Sequence, residues 1–395
     1  MNLGKQWKRL SGIFALAAIT LSAASAPVLA QAPATRGNGP IAGDQPDDPG
    51  PLAKDLSPAL RSKDIRKAMR RVADWQVKRI ENAPSQDWTY ATLYAGLLAA
   101  FDTLGDPHYE KVVRSVGEHF NWQLGPRKMH ADDQAIGQSY FALYRKSHQA
   151  IEIEALHKQF DEVIQAPDDP RKPVWWWCDA LFMAPPVWSG LSAATGDYKY
   201  IDYMNREWSI TQGLLYDDQA HLFSRDATYL SKQEANGKKV FWSRGNGWVM
   251  GGIVRVLSTL PPDDPSRERY IALLKDMAGK IASLQGPDGL WRAGLLDAQS
   301  YQLPEVSGSA FFVYSIAWGV NHGYLDEKTY HPLLEKAWQG LLTHIYQDGR
   351  LGCIQPVGAA PGYYKPSSSY VFGTGAFLLA GSELDALSRH KTHHR

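Results

Sequence analysis

Thr103-Leu104-Gly105-Asp106-Pro107-His108-Tyr109 ends one helix and starts the next. Glycine suits a left-handed C-cap, aspartate an N-cap, and proline the first helical position. The same punctuation returns at Ala194-Thr195-Gly196-Asp197-Tyr198-Lys199-Tyr200, again between a helix of small and apolar residues and an amphipathic one. Weaker echoes stand at Asp263-Asp264-Pro265-Ser266 and at Gly323-Tyr324-Leu325-Asp326. Working outward from these stops, apolar residues recur mostly at three- and four-residue spacing, as in Ile65, Met69, Val72, Trp75, Val77 and Ile80. Further helices are expected over 90–104, 133–148, 180–194, 242–257, 272–284, 306–321 and 369–387, and strand patterns only in short pieces such as 349–355.

A hairpin repeat of roughly 40 to 70 residues over most of the chain gives five or six helical hairpins, each burying one face against its neighbours. Apolar helices alternate with more charged ones, as an inner and an outer ring require. The predicted fold is all-α: an (α/α)6 barrel, a six-hairpin toroid, in a single domain over 57–395. An open solenoid is the competing arrangement of the same repeat.

Composition narrows the partners. The 42 Lys and Arg residues against 41 Asp and Glu leave a net charge of +1, so no field of one sign favours nucleic acid or an anionic membrane. An acidic substrate has to meet local cations. Residues 1–30 carry Lys5, Lys8 and Arg9, then a short apolar run, then Val28-Leu29-Ala30, the pattern of a secretory signal peptide and of an exported, periplasmic or secreted protein. Residues 31–56, rich in Pro, Gly and Asp, are expected to be a disordered linker. Cys178 and Cys353 are the only cysteines, too few for a disulfide framework or a cysteine-rich zinc site, and are expected as buried free thiols. No metal and no cofactor are expected, and the mature chain is expected to be a monomer.

Three places set rare polar groups among aromatics. His130-Ala131-Asp132-Asp133-Gln134 puts two acids where a helix begins, and either Asp132 or Asp133 could serve simply as its cap. Trp175-Trp176-Trp177-Cys178-Asp179 puts one acid directly after three indoles. An aromatic wall desolvates a carboxyl and raises its pKa, and indole faces also suit sugars; the competing reading is a capping Asp179 beside ordinary core tryptophans. In Trp242-Ser243-Arg244-Gly245-Asn246-Gly247-Trp248, glycines flank Asn246, Arg244 offers a planar fork for a carboxylate, and Trp248 offers a stacking face. Upstream, Arg225-Asp226 adds a cation and an acid, read alternatively as a surface ion pair.

Taken together, Asp132-Asp133-Gln134-Ala135-Ile136-Gly137, Trp176-Trp177-Cys178-Asp179-Ala180-Leu181-Phe182-Met183, Arg244-Gly245-Asn246-Gly247-Trp248 and Ser307-Gly308-Ser309-Ala310 resemble glycoside hydrolase family 105, the unsaturated rhamnogalacturonyl hydrolases related to the family 88 unsaturated glucuronyl hydrolases. The resemblance runs from about Ile65 to Leu387. It implies an (α/α)6 barrel acting on oligosaccharides that end in a 4,5-unsaturated uronate. It also implies Asp179 as general acid/base, Asp132 or Asp133 as the second carboxylate, and Arg244 and Trp248 as substrate contacts. Asn246, Trp177, Trp88 and Tyr94 join them as candidate binding residues, the last two as an aromatic wall. Where many members carry a His, this chain has Arg225, so contacts at the substrate's end are expected to differ.

Overall fold

A computed structural model describes residues 42–166 and 173–393, all within one compact unit. The expected signal peptide and residues 31–41 of the expected linker lie outside them. Six inner helices alternate with six outer ones. The inner helices are α2 (Trp88–Leu104), α5 (Gly137–Ser147), α8 (Pro185–Thr195), α10 (Ser243–Leu257), α12 (Val306–Asn321) and α14 (Val371–His393). The outer ones are α1 (Ser62–Ile80), α3 (Pro107–His119), α6 (Ile151–Gln165), α9 (Lys199–Leu215), α11 (Arg267–Ser283) and α13 (Glu327–Leu342). Two single-turn helices, α4 (Ala131–Gln134) and α7 (Ala180–Met183), precede α5 and α8. Each inner helix packs on the next and α14 returns to α2, so the repeat is a closed (α/α)6 toroid and not an open solenoid.

The pattern explains which helix goes where. Inner helices are apolar on nearly every face, α12 being buried continuously from Val306 to Val320, whereas outer helices bury a single stripe. The expected punctuation marks the inner-to-outer turns: Gly105 and Gly196 take left-handed φ of 72° and 75°, and Asp106 and Asp197 accept hydrogen bonds from the His108 and Lys199 amides. These turns are short. The outer-to-inner connections are long, and they gather at the end of the barrel where all six inner helices begin.

Ring closure demands a backbone-to-backbone approach of α2 and α14. A Cβ on Gly96 would lie 2.5 Å from the Gly375 carbonyl oxygen, and one on Gly375 would lie 2.3 Å from that of Thr92. Nearby, the fully buried Asp385 accepts from Ser62 and Arg66 and pairs with Arg389, tying α14 to α1.

Three expectations are corrected. From residue 42 onward the expected linker is held against the barrel: Gly43–Asp44 (β1) pairs antiparallel with Ser369–Tyr370 (β2), Leu52 bridges Tyr346, and Asp44 pairs with Arg79 and Arg350. Backbone pairing offsets the ordering entropy that this polar segment cannot recover by apolar burial. The expected helix over 180–194 is broken into α7 and α8, because Pro185 and Pro186 supply no amide hydrogen to continue a helix. Residues 349–355 form no strand beyond an isolated bridge of Leu351 to Ile345, since Cys353 takes a left-handed φ of 54°.

Gly375→Ala should destabilise the fold by about 1–3 kcal/mol, because its methyl meets backbone that cannot swing aside. A urea unfolding midpoint unchanged from the parent protein would contradict this account of ring closure.

Candidate active site

The first residues of the inner helices meet inside one mouth of the barrel. Trp88 of α2 stacks on Phe372 of α14 with ring centroids 5.6 Å apart and meets Trp248 of α10 edge-on at 5.9 Å. Asp179 comes from the turn before α7, and Asp132 from α4. Helix N-termini converge here, so a fixed positive potential serves an anionic ligand in a protein with almost no net charge.

Asp179 has the shape expected of a held acid. It is 8% exposed, and it makes no capping hydrogen bond to α7 although it occupies the cap position. Burial raises its pKa, while the Arg225 guanidinium, the Cys178 thiol and Arg244 pull it down. The Cys178 Sγ lies 3.2 Å from Asp179 Oδ1. Asp132 is pushed up to about 7, first by burial and then by the Asp179 charge, with Arg127 opposing. The two carboxyls therefore form a coupled pair in which ionising one discourages the other. His130 caps α4 by accepting the Asp132 amide hydrogen through Nδ1 at 3.3 Å, and its ring lies 4.8 Å from that of Trp177.

The three indoles divide their work. Trp175 is fully buried against Tyr203, Trp177 is 3% exposed beside the acid, and Trp176 is 46% exposed with the Arg225 guanidinium 5.3 Å from its ring centre. Arg225 also pairs with Asp226 at 2.6 Å, and its backbone carbonyl accepts from the Cys178 amide. It is the cation nearest the site acids in effect, being the largest charge acting on Asp179.

Several candidates bond elsewhere. Asp133 accepts from the Arg127 amide at 2.7 Å and from its guanidinium at 2.5 Å, so of the two adjacent acids Asp132 is the one coupled to Asp179. Asn246 clamps the Leu222–Phe223 strand to α10 through the Phe223 amide and carbonyl. Arg244 is fully buried between Trp242 and Phe372, and its terminal nitrogens donate to the Gln355 and Pro356 carbonyls at 2.6 and 2.7 Å. The fork read as a carboxylate clamp instead anchors the 353–356 segment, with Glu305 3.8 Å away. Trp248 and Tyr94 are wholly buried, Trp248 as the lumen's aromatic floor against Phe182 and Phe311, Tyr94 accepting the Ser85 amide. Of the aromatic-wall pair, only Trp88 keeps partial exposure.

Sequence reading passed over four residues here. Asp87 caps α2 through the Thr89 amide and adds its charge to that on Asp132; Asp87-Trp88-Thr89 carried the capping signal. Tyr90 is buried, held up to about 12 by burial, and its hydroxyl has no hydrogen-bond partner among the described residues. Glu305 caps α12 and accepts the Gln355 amide, while Gln355 accepts from Trp242. These last two are joined across 50 residues, which no local pattern announces. Buried donors without partners also include Arg225 Nε, Arg244 Nε, Ser243 Oγ and Trp248 Nε1. A separate cavity of about 270 Å³, lined in part by Arg145, Arg255, Tyr314 and Glu383, contains none of the candidate residues.

The model of Glycosyl Hydrolase Family 88 matches residues 62–387. The chain belongs to that family. It is a glycoside hydrolase, and the family is the relative already named beside family 105. It is 39% identical over 345 residues to the unsaturated 3S-rhamnoglycuronyl hydrolase of Formosa agariphila, covering 82% of this chain and 91% of that protein. A solved family 88 glycosyl hydrolase from Bacteroides vulgatus is 32% identical with a TM-score of 0.77, covering 82% of this chain and 98% of that one. A solved structure named a polysaccharide lyase is 31% identical with a TM-score of 0.78, covering 84% of this chain and 98% of that one.

A raised carboxyl pKa is also a stability statement. Folded Asp132 holds its proton to about pH 7 while the unfolded residue releases it near the ordinary value of 3.8, so its favourable contribution is complete below that value and is lost as pH rises through 7. Asp132→Asn should therefore stabilise the fold at pH 8 by about 2 kcal/mol, with the gain vanishing near pH 4. Melting curves that differ equally at both pH values would contradict the shift.

Proposed function

We propose that this family 88 hydrolase removes a 4,5-unsaturated uronate from the non-reducing end of lyase-generated oligosaccharides, with Asp179 as the acid that protonates the double bond. The observation that carries the reading is a buried Asp179, its pKa raised by desolvation, coupled to Asp132 at the mouth where the inner helices begin.

The substrate is a vinyl ether, its C4=C5 bond conjugated to the ring oxygen. Asp179 donates a proton to C4, leaving an oxocarbenium-like centre at C5. Water adds at C5 and returns its proton to the Asp179 carboxylate. The resulting hemiketal opens, and the glycosidic bond is lost without attack at the anomeric carbon, unlike the two-carboxylate displacement of ordinary glycosidases. Where Asp132 is ionised, its charge disfavours ionisation of Asp179. Arg225 is the cation available to the substrate's carboxylate or another anionic group at this end, with Trp176 as the exposed stacking face.

The sugar on the reducing side is proposed to be rhamnose, a reading supported by the likeness to a Formosa agariphila protein named an unsaturated 3S-rhamnoglycuronyl hydrolase. The chain is proposed to act outside the cytoplasm, on the leader-like pattern of residues 1–30.

The likeness to a protein named a polysaccharide lyase supports a second reading, elimination instead of hydration. A lyase needs an ionised base to take the C5 proton, whereas burial drives both site acids toward protonation, which favours hydration. The unsaturated uronate absorbs in the ultraviolet. On disaccharides of unsaturated uronate linked to rhamnose with and without sulfate, a fall in absorbance is expected, and product with no change means ordinary hydrolysis; a lyase would leave these disaccharides intact and raise the absorbance of the saturated uronate polysaccharide instead. Asp179→Asn should lower kcat by about 100- to 10,000-fold while the melting curve stays cooperative. Near-normal turnover by this variant would remove Asp179 from the mechanism.

A further inference from the structure

We propose that Cys178 is a positioning residue for Asp179: its thiol donates to Oδ1 and thereby fixes the acid's transferable proton on Oδ2. This rests on the reading of Asp179 as the acid. The geometry is specific. Cys178 is fully buried and free, with Sγ 3.2 Å from Asp179 Oδ1. Its own amide is fixed by the Arg225 carbonyl at 2.8 Å, so the thiol is carried on a backbone that cannot drift. Opposite it, Gly245 brings the first turn of α10 close: a Cβ there would lie 3.1 Å from Cys178 Sγ and 3.7 Å from Asp179 Oδ1. The Gly245 of the Arg-Gly-Asn-Gly-Trp run thus leaves room for the thiol and the carboxyl together.

A protonated carboxyl has one hydroxyl and one carbonyl oxygen. The oxygen that accepts S–H is the carbonyl one, which puts the acidic proton on the other. The thiol stays protonated throughout, its own pKa raised well above the usual value by burial and by the Asp179 charge, so it donates and never transfers. When the proton leaves Oδ2 for C4, negative charge grows on the carboxyl and the S–H contact strengthens, since hydrogen bonds to ionised acceptors exceed those to neutral ones. The bond is therefore worth more after transfer than before it, as a catalytic contact must be.

Other charges facing Asp179 are Asp132 from α4, Arg225 after the 222–223 strand and Arg244 from α10; Asp226 faces the thiol, and Asp87, Asp133 and Arg127 act on Asp132. None of them changes when Cys178 is replaced, so the thiol's share is separable. Activity falls as the Asp132–Asp179 pair loses its proton, which makes the basic limb of kcat/KM the readout.

The test compares pH profiles of Cys178→Ala and Cys178→Ser with the parent enzyme, using the absorbance assay on an unsaturated uronyl disaccharide. Removing the donor should move the basic limb up by about half a pH unit to one unit and lower kcat about 10-fold. The serine hydroxyl, a stronger donor of similar size, should move the limb down while retaining most of kcat. Opposite shifts support the proposal; profiles that stay put, or both move the same way, overturn it. If the alanine variant does not fold, the direction of the serine shift decides alone. Asp179→Asn is assayed alongside: if it is inactive while the Cys178 profiles are unshifted, only the thiol's role fails, and if it is active the reading of Asp179 fails with it.

Discussion

Closure of the inner ring is the constraint on which the rest of this protein depends. Gly96 and Gly375 let α2 and α14 touch backbone to backbone, and that contact, with the packing of α14 on α1 beside it, turns a row of hairpins into a ring. Once the ring is closed, six helices begin at the same mouth. Their partial positive charges, and the long connections that precede them, then face a common space. A chain with a net charge of +1 gains its local preference for anions in this way, by convergence of dipoles and not by composition.

Convergence also explains why burial, more than partner charge, sets the chemistry of the site acids. Asp132 and Asp179 arrive from different hairpins and bring their carboxyls into an aromatic lumen floored by Trp248 and walled by Trp88 and Trp177. Desolvation leads the causes of both upward shifts. Two cations stand near, yet one is committed: Arg244 spends its terminal nitrogens on the carbonyls of Gln355 and Pro356 and holds the rim in place. Arg225 alone combines partial exposure, an aromatic neighbour and a strong effect on Asp179. Burial is what favours the protonated acid, against the pull of both arginines, while Arg225 keeps the mouth cationic.

Much of this was legible in the chain. Glycine and aspartate at 105–106 and 196–197 mark helix ends through backbone conformation and capping, both local effects that need no tertiary information. Trp177-Cys178-Asp179 announced a desolvated acid for the same reason, since its wall is adjacent in sequence. Less legible was where polar side chains spend their hydrogen bonds. Arg244, Asn246 and Asp133 are polar residues in site-like company, and only the positions of Gln355, Phe223 and Arg127 reveal that their hydrogen bonds are spent on structure. Residues 42–56 read as linker because their stabilising pairs, at 345–347 and 369–370, lie some three hundred residues away.

By itself, then, the sequence determined the helical repeat, the alternation of apolar and amphipathic helices, and the presence of an acid beside indoles, because each follows from spacing along a few turns of chain. Tertiary structure decided which acid joins Asp179, which arginine faces the lumen, and which tryptophan meets solvent. Those are choices among chemically equivalent side chains, and they are made by packing between helices that sequence distance leaves unrelated.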